Sequence, residues 1–178
     1  MLNFHHTDNK TFFDYWQKLP REGLVPDKSD FIPEDIPKLL PNIIIYELIS
    51  ENIIHTRLSG TALDARDGFI KTGKNYLDFV APDRKKKASE AFWLLSNHPC
   101  AMRVISKFRS ANGLVKEVES IGAPLNDQKT GGKFLYYSSK EINLSTNVIQ
   151  PLKDELEIIT VTQRDFIDIG GGIPEYRD

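Results

Sequence analysis

MRVISKFRSANGLVKEVESIGAPLNDQKTGGKFLYYSSK, residues 102–140, reads as three strands joined by two short links. Met102 to Arg109 and Leu114 to Ala123 flank Ala111-Asn112-Gly113. Asn-Gly is the pair a tight hairpin prefers, since both residues tolerate positive φ. Lys133 to Lys140 follows the polar loop Asn126 to Gly132 as a third strand. Three consecutive strands so linked make an antiparallel meander.

Upstream, the period changes to that of a helix. Ala88, Ala91, Phe92 and Leu95 fall at i, i+3, i+4 and i+7 within Pro82 to Asn97. Asp83 suits the positive end of the helix dipole, and Pro99 stops the element. Before it, Gly60 to Phe79 is broken by Gly60, Gly68 and Gly73 and has room for one or two brief helical turns. Asn42 to Leu48 and Ile54 to Ser59 read as two further strands around the turn Ser50-Glu51-Asn52. The order predicts an α+β fold, a five-stranded antiparallel sheet with helices packed on one face.

Both ends add to this unit. Asn9 to Leu19 predicts an amphipathic helix with the apolar stripe Phe12, Phe13, Trp16 and Leu19, and with Asp8 as its cap. The stripe either folds back on its own domain or meets a second copy. Pro20, Pro26, Pro33, Pro37 and Pro41 then forbid a long helix and imply an ordered wrap. In the tail, Leu156 to Val161 reads as a strand and Gly170-Gly171-Gly172 as a flexible end. The division expected is an N-terminal helix and wrap (1–41), a central domain (42–143) and a C-terminal extension (144–178).

Composition narrows the functional classes. The chain has 178 residues, a formal net charge of −2 and a pI near 6.1. Nucleic-acid binding needs a clustered basic excess, so this balance gives no electrostatic case for it. The run Arg84-Lys85-Lys86-Lys87 reads as the wet face of a helix. A lone Cys100 cannot close an intramolecular disulfide. Met1 to Lys10 lacks the apolar segment of a signal peptide. The longest apolar run, Ile43 to Tyr46, is far short of the roughly 20 residues a membrane span needs. A cytoplasmic location without membrane contact is expected.

The element order resembles that of PAS domains, and local patterns agree with it. Thr72-Gly73-Lys74-Asn75-Tyr76-Leu77-Asp78-Phe79-Val80-Ala81-Pro82-Asp83-Arg84 is similar to the PAS stretch of a Gly-Lys pair, a short helix and a Pro-Asp-Arg helix start. The stand-alone PAS proteins of alphaproteobacteria are resembled more closely still. The features shared with them are Tyr15-Trp16 in a first helix, the proline-punctuated stretch Ser29 to Pro41, Arg57-Leu58-Ser59-Gly60-Thr61, and Glu119 ahead of Pro124-Leu125. The resemblance spans about Phe12 to Lys140.

That resemblance implies a sensory or protein-interaction role with no catalytic output of its own. Any output is made in trans on a signalling protein, with a homodimer formed through Phe12, Tyr15, Trp16 and Leu19. A small ligand held between sheet and helices is the alternative mode. The pocket-lining candidates are Arg57, Tyr76, Phe79, Phe92 and Glu119. Arg57 and Glu119 have two open readings, an ion pair across the sheet or an anchor for an anionic ligand through Arg57. The aromatic residues, Trp93 among them, are core first and pocket wall second.

No cofactor is identified. Flavin-thiol photochemistry needs a cysteine where Gly73-Lys74-Asn75-Tyr76 places tyrosine, so that chemistry is excluded. Haem needs an axial histidine, and the one candidate, His98, reads instead as a cap at a helix end. His5 and His6 are adjacent in a terminus with no ligand set to complete a metal site. Phosphate-loop and nucleophile-elbow motifs are absent from the sequence. A small α+β enzyme would need an acid–base pair such as Asp78 with His98.

Overall fold

Six strands form one antiparallel sheet: β1 (Ile43–Ser50), β2 (Ile53–Ser59), β3 (Cys100–Arg109), β4 (Val115–Asp127), β5 (Gly132–Ser145) and β6 (Ile159–Asp168). Their order is β2-β1-β5-β4-β3-β6. The computed structural model describes residues 3–109, 115–145 and 159–177. The Asn112-Gly113 hairpin lies outside the described residues, but the strands on either side pair in antiparallel register as the sequence predicts.

Among the described residues the sheet has six strands rather than five. The sixth is β6, which pairs along β3 from Cys100↔Asp168 to Phe108↔Ile159. The strand expected over Leu156 to Val161 is thus found from Ile159 onward, and 156–158 lie outside the described residues. Gly170-Gly171-Gly172 is a pinned turn rather than a loose end. The Asp168 carboxylate accepts from the amides of Gly170 (2.7 Å) and Gly172 (2.8 Å). The chain then returns over the sheet, where Tyr176 packs on Phe166 and donates to the Lys87 carbonyl at 3.0 Å.

Both faces of the sheet are covered, which explains why Ile43-Ile44-Ile45-Tyr46 is continuously apolar. A strand buried on two sides has no polar alternate positions. On the inner face, Ile44, Tyr46, Leu135 and Tyr137 meet α2 (Thr61–Asp67), the single turn Tyr76–Phe79 and α3 (Lys85–Asn97). The helix expected over Pro82 to Asn97 is a Pro82–Arg84 turn running into α3. On the outer face, Ile43, Ile121, Ala123, Leu125 and Tyr136 meet α1 (Thr7–Lys18) and the proline-rich wrap.

The α1 stripe is buried within its own chain. Phe12 and Trp16 are fully buried, and the Trp16 indole donates to the Pro124 carbonyl at 3.0 Å. Tyr15 is partly buried and ties the helix to the wrap, its hydroxyl donating to the Ile32 carbonyl and accepting from the Ile32 amide. Of the side chains expected at a homodimer contact, Phe12, Trp16 and Leu19 are thus buried against the chain's own sheet and wrap, and Tyr15 is partly exposed. The N-cap is His6, whose Nδ1 accepts from the Asp8 amide, and Asp8 lies in the first turn rather than at the cap. The wrap is fastened to the β4–β5 turn, where the Gln128 amide donates to Asp27 and the Asn126 amide to the Pro26 carbonyl.

Gly60 shows why its position admits no side chain. Its amide donates to the Ile43 carbonyl at 2.8 Å, which draws the strand exit against the wrap. A Cβ there would stand 2.4 Å from the Pro41 carbonyl oxygen, and backbone cannot swing aside as a side chain can. Gly60→Ala is expected to cost about 1–3 kcal/mol by overpacking. Urea denaturation of both forms measures this, and equal midpoints would contradict it.

Candidate functional site

Between the inner sheet face and α2 and α3 lies a cavity of about 370 Å³. Its floor is Tyr137 on β5, and the β4 residue opposite in register is Gly122. A Cβ on Gly122 would sit 2.0 Å from the Tyr137 ring, so the missing side chain is what lets the ring lie flat on the strand. Phe92 of α3 stacks on Tyr137 with centroids 5.6 Å apart, and Tyr76 stacks on Phe92 at 4.6 Å. Tyr46 meets Tyr76, Phe92 and Tyr137 edge-on. These four rings form an aromatic wall.

Burial pushes the three phenols up, Tyr76 to about 12 and Tyr46 and Tyr137 well above their ordinary value. All three stay neutral at physiological pH. The Tyr137 hydroxyl is buried and has no hydrogen-bond partner among the described residues. A buried hydroxyl left unsatisfied costs about 1–3 kcal/mol.

The polar corner of the cavity is built from α2 and the segment after it. The Asp67 carboxylate, fully buried, takes the Arg66 Nε at 2.8 Å and the Lys71 ammonium. Arg66 also donates to the Ser139 hydroxyl at 3.2 Å, and Ser120 and Ser139 share a hydrogen bond of 2.9 Å. Burial lowers the Lys71 pKa, and the adjoining Asp67 carboxylate opposes that shift without cancelling it.

The sequence candidates divide between this site and other places. Tyr76, Phe79 and Phe92 line the cavity, whereas Arg57 and Glu119 do not. The cross-sheet pair of Arg57 with Glu119 does not form. Arg57 is exposed on edge strand β2 and reaches Glu47 at 3.5 Å. Two strands, β1 and β5, separate it from β4, a span of roughly 14 Å at the usual strand spacing. Trp93 donates to the Ser50 carbonyl outside the cavity. His98 is the C-cap residue of α3 and is not among the lining residues, and no hydrogen bond or ion pair joins it to Asp78. In the basic run, Arg84 and Lys87 stand at the cavity's edge, where sequence reading placed only a solvated face. Burial pushes the Cys100 thiol up to about 11, which makes it a poor nucleophile. Among the described residues, no group of three or more His, Cys, Asp or Glu is arranged to hold a metal.

Glu119 fastens the N-terminal layer to the sheet. Fully buried on β4, its carboxylate accepts from Arg103 Nε (2.7 Å), the amides of His5 and His6 (both 2.9 Å) and Asn9 Nδ2 (3.0 Å). Arg103 is shared with Asp165 of β6 at 2.8 Å. One carboxylate thus joins α1, β4 and β3, and the shared arginine extends the link to β6. Sequence reading missed this assembly, and it also missed Tyr137, Arg66, Asp67 and Lys71. The signal available was the Asp67 to Lys71 spacing of one helical turn.

With this geometry in place, comparison with known families is informative. The PAS domain family matches residues 4–135, from just before α1 into β5. The chain belongs to the PAS domain family. It is thereby a sensory or regulatory module in general terms, of a kind that is sensory rather than catalytic as a rule. None of the curated proteins compared matches it. Among the described residues, no helix is long and apolar enough to cross a membrane.

The Glu119 assembly predicts acid sensitivity. Burial alone would raise its carboxyl, but the His5 amide, Asn9, Arg103 and the His6 amide outweigh it and hold the pKa below the ordinary 4.5. A depressed carboxyl contributes stability that is full above 4.5 and is lost as pH falls through the folded-state value. Glu119→Gln is expected to cost about 3 kcal/mol near neutrality, since it leaves Arg103 buried with fewer partners. Its stability should also fall less steeply than that of the wild type below pH 4.5. Denaturation midpoints across pH measure both, and parallel acid slopes would contradict the assignment.

Proposed function

We propose that the chain is a PAS sensor that binds a small molecule in the cavity between sheet and helices and passes its occupancy to a signalling protein in trans. The observation that carries this reading is the cavity itself, about 370 Å³ between sheet and helices and walled by the rings of Tyr46, Tyr76, Phe92 and Tyr137. Flat rings around an open space favour a flat apolar molecule packed against them. The volume lies at the low end of the range for small-molecule pockets, about 300–1,000 Å³.

Transmission follows from what the cavity touches. Its roof includes Phe69 and Phe79, packed 5.0 Å apart, on the segment linking α2 to the Tyr76–Phe79 turn. That segment is held to the edge strand by backbone bonds, the Thr56 amide donating to the Lys74 carbonyl and the Gly73 amide to the Thr56 carbonyl. A ligand that binds better to one placement of this roof shifts the population of that placement. A partner reading the surface of the roof would sense the shift. Catalysis has no role in this proposal.

A neutral aromatic fragment tests the cavity itself. Indole, titrated to millimolar concentration and followed by NMR, is expected to cause saturable shifts at Phe92 and Tyr137. Ala91→Phe, which fills the space from α3, should abolish those shifts while circular dichroism shows the fold retained. Shifts that are absent in the wild type, or unchanged in the filled variant, would contradict the reading.

A further inference from the structure

We infer that the ligand class this cavity selects is an uncharged aromatic carbonyl compound, its ring against the aromatic wall and its carbonyl oxygen accepting from the Ser120–Ser139 hydroxyl pair. The inference rests on the reading of the cavity as a ligand site and deepens it. Charge balance, a spare hydroxyl proton and the strand register each lead to this class.

The charges of the polar corner are matched within the chain. Arg66 and Lys71 both pair with the buried Asp67 carboxylate. Asp64 stands beside them, its carboxylate accepting from the Lys71 amide at 3.3 Å and from the Ser59 hydroxyl at 2.6 Å. Two cations thus face two carboxylates. At the rim, Lys87 donates to the Arg177 carbonyl and Arg164 lies 4.8 Å over the Tyr176 ring, so both turn toward the C-terminal segment. An ionic ligand would lose its hydration and find no unmatched countercharge to replace it, which is costly. The corner therefore selects against ions.

The spare proton lies on the sheet. Ser139 Oγ accepts from Arg66 Nη1 at 3.2 Å, and Ser120 and Ser139 share one hydrogen bond of 2.9 Å. Two hydroxyls carry two protons, and their mutual bond uses one whichever way it runs. The other proton has no acceptor among the described residues. Both side chains line the cavity, and Ser120 is only partly buried. A carbonyl oxygen accepts from such a donor without bringing charge.

Register places this donor beside the rings. Ser120 is opposite Ser139, and the next pair on the same face is Gly122 opposite Tyr137. Two residues along a strand span about 7 Å. The hydroxyl pair is therefore one step from the Tyr137 ring and from Phe92 stacked on it. A flat ring carrying its carbonyl directly spans that step, the ring at the wall and the oxygen at the serines.

Calorimetry with 3-acetylindole, 3-ethylindole and indole-3-carboxylate tests the inference on one frame. The double variant Ser120→Ala/Ser139→Ala is expected to weaken 3-acetylindole about fivefold, the worth of one neutral hydrogen bond, and to leave 3-ethylindole unchanged. Indole-3-carboxylate should bind the wild type more weakly than 3-acetylindole does. In the wild-type complex the acetyl C=O stretch, read by infrared difference spectroscopy, should lie below its frequency in hexane. That stretch decides the matter should the double variant lose both neutral ligands. An unshifted stretch, a 3-acetylindole affinity that the double variant leaves intact, or tighter binding of the carboxylate overturns the inference. Saturation by indole with no binding of 3-acetylindole also overturns it and leaves the cavity reading standing. Failure of every indole overturns both.

Discussion

The pairing of Gly122 with Tyr137 across β4 and β5 is the constraint on which the rest of the structure depends. Side chains alternate along a strand, so this register sends Tyr137 inward and Tyr136 outward at one step. Inward, the ring lies on bare backbone and leaves open space beneath the helices. Outward, Ala123 and Tyr136 present a floor for the wrap residue Phe31, whose ring meets Tyr136 at 4.9 Å. A slip of one residue would exchange the two faces and lose both the cavity and the seat of the N-terminal layer.

The two layers are stabilised in different ways. The outer layer is densely packed and closed by charge. Phe12 and Trp16 are buried, Arg21 caps the last carbonyls of α1 while its guanidinium lies 4.4 Å over the Trp16 ring, and Glu119 ties down the helix start. The inner layer keeps a void and a polar group that the described residues leave unsatisfied. Sites that bind are commonly less fully satisfied than the scaffold that holds them. The buried network on the outer face therefore reads as scaffold, and the inner aromatic wall as the working surface.

Much of this was legible in the sequence, and the parts that were not share a cause. The meander and the α3 periodicity are local signals, and both appear where the spacing puts them. Strand β6 was only half visible because Thr162, Gln163, Arg164 and Asp165 on an edge strand carry little apolar signal. Tyr76, Phe79 and Phe92 were recognisable as wall residues. Tyr137 was not, because its role comes from facing a glycine fifteen residues earlier in the chain. Glu119 and Arg57 attracted attention through their charge, but strand order sets which charges meet, and Arg103 is the neighbour that order supplies. Asp67 and Lys71 sit in the glycine-broken stretch read as one or two brief helical turns, too short for a periodicity to show that Asp67 faces inward.

The central claim is that the space between the Tyr137 face of the sheet and the helices is a ligand site. A crystal structure of the protein soaked with indole tests this most directly. The account predicts planar density in the cavity, packed against the Phe92 and Tyr137 rings. A cavity filled by the protein's own side chains, or one without ligand density at saturating indole, would contradict it.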